Sequence, residues 1–154
     1  MLKENDKAPQ FSAPDQNANT VSLSDFNGKW IVLYFYPKDM TPGCTTEACN
    51  FRDEYSTFQQ QGIAVLGVSK DSVDRHKKFE AKHELPFPLL SDEKGTICED
   101  YGVWQEKSMY GKKFMGIVRS TFIINPKGII AKVYPKVKVN EHIAEIQADL
   151  KELM

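Results

Sequence analysis

Two runs of β-branched and aromatic residues, Trp30-Ile31-Val32-Leu33-Tyr34-Phe35-Tyr36 and Ile63-Ala64-Val65-Leu66-Gly67-Val68-Ser69, constrain this chain more than any other feature. Neither alternates apolar with polar residues, so each reads as a strand buried on both faces. Between them Ala48, Phe51, Tyr55 and Phe58 recur at steps of three and four up to Gly62, the stripe of one amphipathic helix with a glycine stop. Strand, helix and parallel strand make a right-handed crossover unit.

The rest of the chain adds to that unit. Asp71 or Ser72 can cap a second helix running to about His83, after which Pro86 and Pro88 interrupt the chain before a short segment at Leu89-Leu90. Ser120 to Ile124, the turn Asn125-Pro126-Lys127-Gly128 and Ile129 to Tyr134 spell an antiparallel hairpin. Val139, Ile143, Ile146, Leu150 and Leu153 then form the apolar stripe of a C-terminal helix. This order predicts an α/β protein with a mixed central β-sheet flanked by α-helices, the thioredoxin-like arrangement. The 154 residues fit a single domain, 1–154, with no internal repeat, linker or Gly-rich phosphate loop.

Composition narrows the function. Twenty basic and 21 acidic residues are interspersed, for a net charge of -1, which gives no electrostatic reason to expect nucleic acid or an anionic membrane as partner. The segment Met1 to Lys7 lacks an apolar signal region and no apolar run could cross a bilayer, so a cytoplasmic protein is expected. In a reducing compartment three cysteines point to catalysis, redox sensing or metal binding rather than to a disulfide framework.

Cys44 carries the chemistry. Thr41 can be the N-cap of the helix, Pro42 falls at its first position, and Gly43 lets the backbone approach a ligand closely. Cys44 then lies in the first turn, where unpaired N–H groups and their partial positive charge favour a thiolate, making it a candidate nucleophile. The Thr41 hydroxyl could donate to that sulfur or to a bound oxygen. Cys49 follows five residues later, a spacing that on a regular helix separates the Cα atoms by about 8.7 Å and about 140° around the axis. A disulfide needs less than about 7 Å, so any Cys44–Cys49 bond requires the first turns of the helix to unwind. Arg119, at the start of the hairpin, can face a thiolate and hold charge developing on a leaving oxygen.

Other residues have plainer readings. Cys98 has no motif around it and is expected to pack, as are Tyr101 and Trp104, while Lys136 and Lys138 read as a solvated edge. His76, His83 and His142 could join the cysteines around a metal, yet a zinc site wants two paired ligand motifs and only one pair is present, so no metal is expected. A protein disulfide oxidoreductase would carry Cys-x-x-Cys, and the position for its second cysteine holds Glu47.

Pro37-Lys38-Asp39-Met40-Thr41-Pro42-Gly43-Cys44 resembles the peroxiredoxin pattern Pro-x-x-x-Thr-x-x-Cys. Glu47, the Cys49 spacing, Tyr101-Gly102-Val103-Trp104 and Gly116-Ile117-Val118-Arg119-Ser120-Thr121-Phe122 are similar to the bacterioferritin-comigratory-protein (PrxQ) branch. The likeness runs from Lys7-Ala8-Pro9-Gln10-Phe11 to the final helix, and Asn5 stands where many relatives carry glycine. It implies that Cys44 is the peroxidatic cysteine and Cys49 the resolving cysteine of the same chain, with Pro37, Thr41 and Arg119 completing a peroxide pocket. Glu47, too far into the helix for a capping box, could orient Arg119. The implied reaction reduces hydrogen peroxide and organic hydroperoxides through a Cys44 sulfenic acid and a Cys44–Cys49 disulfide. Thioredoxin or a similar dithiol would recycle the disulfide, without a cofactor, in a monomer serving antioxidant defence. The alternatives are a protein disulfide oxidoreductase and a non-catalytic redox sensor.

Overall fold

The computed structural model describes residues 1–154. Both apolar runs are strands of one sheet. In chain order the elements are β1 (Ser12–Pro14), β2 (Thr20–Ser22), a 3-10 turn (Leu23–Phe26), β3 (Trp30–Phe35), α1 (Pro42–Asp53), α2 (Tyr55–Gln60), β4 (Ile63–Ser69), α3 (Val73–His83) and β5 (Leu89–Ser91). After them come α4 (Thr96–Asp100), β6 (Trp104–Met109), β7 (Lys112–Ile117), β8 (Ser120–Ile124), β9 (Ile130–Tyr134) and α5 (Val139–Leu153).

The central sheet has the order β5-β4-β3-β8-β9, with β3, β4 and β5 parallel and β8 antiparallel to both β3 and β9. Successive residues of β3 point to opposite faces. Ile31, Leu33 and Phe35 join a core cluster with Leu66, Phe122, Ile97 and Tyr101, while Val32 and Tyr34 join another with Val65, Phe51, Phe79 and Ile146. Helices α1, α3 and α5 thus share one face of the sheet, and α4 covers the other.

One expectation needs correction. The single helix predicted from Cys44 to Gly62 is two helices, broken at Glu54, whose φ of -104° and ψ of 5° are not helical. No glycine or proline causes the break; packing does, because Phe51 stacks on Tyr34 while Tyr55 lies against Phe87. The two small hairpins β1–β2 and β6–β7 carry no run long enough to announce them. Tyr101 is fully in the core, and Trp104, half-buried, packs against the same cluster with its ring under the Lys70 ammonium. Asn5 adopts φ 75°, a left-handed conformation that asparagine tolerates better than most residues, which accounts for its standing in a glycine position. No helix is long and apolar enough to cross a membrane.

Candidate active site

The loop after β3 and the first turns of α1 carry the motif. Pro37 is half-buried just beyond β3, and Thr41 is the backbone N-cap of α1 with Pro42 at its first position. The Thr41 side chain does not cap the helix; its hydroxyl donates to the Lys38 carbonyl oxygen at 2.8 Å. It therefore braces its own loop rather than the Cys44 sulfur, although its lone pairs remain free to accept. Gly43 has a different use from the one expected: a Cβ there would lie 3.1 Å from Nη2 of Arg119. The close approach it permits is that of the arginine.

Cys44 is buried in the first turn of α1, and its Sγ accepts a hydrogen bond from Arg119 Nη2 at 3.3 Å. Arg119 lies in the two-residue link between β7 and β8, and its Nη1 donates to Glu47 Oε1 at 2.8 Å. One planar guanidinium thus spans a sulfur and a carboxylate, a fork that lysine could not reproduce. Glu47 sits one turn after Cys44 and is 1% exposed, against 19% for the Arg119 side chain. The desolvation cost consequently falls on the carboxyl: burial pushes the Glu47 pKa up to about 7, against the opposing pull of Arg119. Burial also works against the Arg119 charge, but Glu47 and Cys44 outweigh it and hold the guanidinium protonated. The second Glu47 oxygen, Oε2, and the buried Tyr34 hydroxyl have no hydrogen-bond partner.

Cys49 is half-buried on the same unbroken helix, and all three cysteines are free. Five helical residues leave its Cα about 8.7 Å from that of Cys44, beyond disulfide reach. Cys98 lies in the cluster on the opposite face of the sheet, where burial raises its thiol pKa strongly. It packs, as its lack of a motif implied.

A second polar group lies beside the loop. Asp39, Asp71 and His76 bring potential metal-ligand atoms within 4.8 Å of one another. Every carboxylate oxygen there already has a partner: Asp39 contacts the Tyr36 hydroxyl and His76, and Asp71 contacts Arg75, Ser69 and the Asp39 N–H. This is a closed hydrogen-bond network. Only the position of Asp39 inside the octapeptide hinted at it, since its partners come from three other segments.

The AhpC/TSA family model matches residues 5–133. The peroxiredoxin Bcp of Bacillus subtilis is 50% identical over 147 residues, covering 96% of this chain and 94% of that protein. A putative peroxiredoxin bcp of Coxiella burnetii is 54% identical over 140 residues, covering 91% and 93%. Among solved structures, a cysteine-to-serine form of Xylella fastidiosa PrxQ superposes with a TM-score of 0.93 at 38% identity over 99% of this chain and 97% of that one. The bacterioferritin comigratory protein of Xanthomonas campestris, described for its alkyl peroxide reduction activity, superposes with a TM-score of 0.88 at 42% identity over 92% and 90%. An α/β sheet of thioredoxin-like form, a helix-borne cysteine facing a distant arginine, and these likenesses over nearly the full length lead to one conclusion: the chain belongs to the AhpC/TSA family, in its Bcp/PrxQ peroxiredoxin branch.

Proposed function

We propose that the chain, acting as one domain over residues 1–154, is a thiol peroxidase that reduces hydrogen peroxide and organic hydroperoxides. The observation that carries the reading is the single guanidinium of Arg119 held between Cys44 Sγ and Glu47 Oε1. The Cys44 thiolate attacks one peroxide oxygen and the O–O bond breaks. The departing oxygen takes a proton and leaves as water or an alcohol, while Cys44 becomes a sulfenic acid. Arg119 and the N–H groups at the start of α1 stabilise the negative charge that develops on that oxygen. Pro37 and Thr41 shape the loop, and Glu47 holds Arg119 in line.

Resolution requires motion. α1 opens over its first turns, Cys49 attacks the Cys44 sulfur, water departs, and an in-chain disulfide forms. An external dithiol of the thioredoxin type reduces it by thiol–disulfide exchange. The absence of a side-chain cap on α1 lowers the cost of opening, since an N-cap bond contributes about 1 kcal/mol. Because both cysteines reside in one chain, a monomer suffices, and a reducing compartment such as the cytoplasm suits the cycle.

The test follows peroxide consumption coupled to thioredoxin, its reductase and NADPH. Cys44→Ser should be inactive, Cys49→Ser should reduce one equivalent of peroxide and then stall, and Cys98→Ser should turn over at close to the wild-type rate. Full turnover by Cys44→Ser would sink the proposal. Insulin-disulfide reduction without peroxidase activity would favour the disulfide oxidoreductase instead.

A further inference from the structure

Asp39 lies between the strand that enters the site and the helix that carries Cys44, and all of its polar groups are engaged. Its N–H donates to Asp71 Oδ2 at 2.8 Å, and its carbonyl oxygen accepts from Arg75 Nη2 at 3.1 Å. Its carboxylate accepts from the Tyr36 hydroxyl at 2.6 Å and meets His76 Nδ1 at 2.6 Å. The other ring nitrogen of His76, Nε2, lies 3.0 Å from the Leu90 carbonyl oxygen. A carbonyl only accepts, so Nε2 carries a proton, and the short contact to the carboxylate places another between Nδ1 and Oδ2. The side chains of Asp39 and His76 are fully buried.

The next residue, Met40, has φ 62°. A left-handed non-glycine residue is strained and persists only where its surroundings over-determine it. Here the anchors are Asp39 on one side and the Thr41 hydroxyl bond to Lys38 on the other. Downstream, α1 is fixed again by buried Phe51 and by Arg52, whose Nη1 donates to the His83 carbonyl oxygen at 2.8 Å. The stretch between these fixings contains both Cys44 and Cys49.

We propose that the buried Asp39–His76 pair is the fixed post of the reactive loop, holding Pro37 to Thr41 in register while α1 opens and closes beyond it, with His76 a positioning residue for the peroxide step. The role in that step rests on the peroxidase reading above; the fixed post itself does not. His76 touches no reacting atom and acts only through Asp39.

Two measurements test this. An asparagine amide reaches about as far as Nδ1 and a glutamine amide about as far as Nε2, so His76→Asn keeps a donor for Asp39 and His76→Gln does not. In stopped-flow oxidation by peroxide, His76→Gln should be slower by about tenfold or more, and His76→Asn should restore most of that rate. Alkylation of Cys44 by iodoacetamide should be little changed in both, which separates a displaced loop from a lost nucleophile. A folded His76→Gln with the wild-type peroxide rate, or a His76→Asn equally impaired, would overturn the proposal. The second measurement needs neither a variant nor peroxide: hydrogen exchange on wild-type protein, reduced or oxidised with diamide. The Asp39 amide should be equally protected in both states while Thr45 to Ala48, whose N–H groups are the first in α1 with backbone partners, lose protection on oxidation. Loss of Asp39 protection in the oxidised state would overturn the post whatever the protein's activity.

Discussion

Glu47 is buried more completely than the guanidinium it holds, and its carboxyl therefore titrates near neutrality, at about 7 against an ordinary 4.5. Between those two values the unfolded chain gives up this proton first. The stability carried by the neutral carboxyl is thus complete below pH 4.5 and is lost as pH rises through 7, a difference on the order of 3 kcal/mol. Urea unfolding from pH 4.5 to 8 should reveal this fall in wild type relative to Glu47→Gln, whose amide does not titrate. Activity should divide in the same window. At pH 6 much of the wild-type Glu47 is neutral and resembles the amide, whereas at pH 8 its charge orients Arg119. The peroxide rate of wild type divided by that of Glu47→Gln should therefore be larger at pH 8 than at pH 6. An equal ratio at both would remove Glu47 from the mechanism.

Among the elements, β6–β7 is the one whose turn chemistry fits its geometry least. Met109 pairs with Lys112, so the turn is the two-residue Tyr110-Gly111, with φ of 52° and 78°. Positive φ at both positions is the signature of the turn that favours Asn-Gly. Tyr110 is 98% exposed, so it gains no packing in return. Tyr110→Asn should raise stability by about 0.5–1 kcal/mol, read as a shift of the urea midpoint at constant slope, with the peroxide rate unchanged. The same mismatch explains why this hairpin was illegible in the sequence, whereas Asn125-Pro126-Lys127-Gly128 between two apolar runs announced β8–β9. The crossover strands were legible because burial on both faces leaves no polar residue in them, and Cys44, Glu47 and Arg119 because they sit in spaced motifs. The break at Glu54 and the His76 contacts were not. Each depends on side chains brought together from separate segments, Phe51 with Tyr34 in the first case and Asp39 with Leu90 in the second.

Across the whole molecule, the site is supported from the middle of the sheet rather than from its rim. The Tyr34 ring lies on the face that carries α1, stacked on Phe51 with centroids 4.5 Å apart and on Tyr36 at 5.5 Å. On β4, paired with Tyr34, stands Gly67, where an added Cβ would come 2.9 Å from Tyr34 Cζ, 3.0 Å from its hydroxyl oxygen and 3.1 Å from a Leu89 methyl. A ring backed by two others cannot yield cheaply in a close-packed interior. Gly67→Ala should cost about 1–3 kcal/mol by overpacking, and the displaced ring should press on Phe51, the buried anchor of the helix that carries both cysteines. The Tyr34 hydroxyl offers a way to separate strain from other losses, because it is buried, has no partner, and is one of the atoms the new methyl would strike. Tyr34→Phe alone should be neutral or stabilising, since it removes a desolvated group that gains nothing in return. In the double-mutant cycle, Tyr34→Phe with Gly67→Ala should lose less stability than the two single changes predict in sum. Strict additivity would mean that the glycine is required by the strand itself and not by the ring beneath the reactive helix.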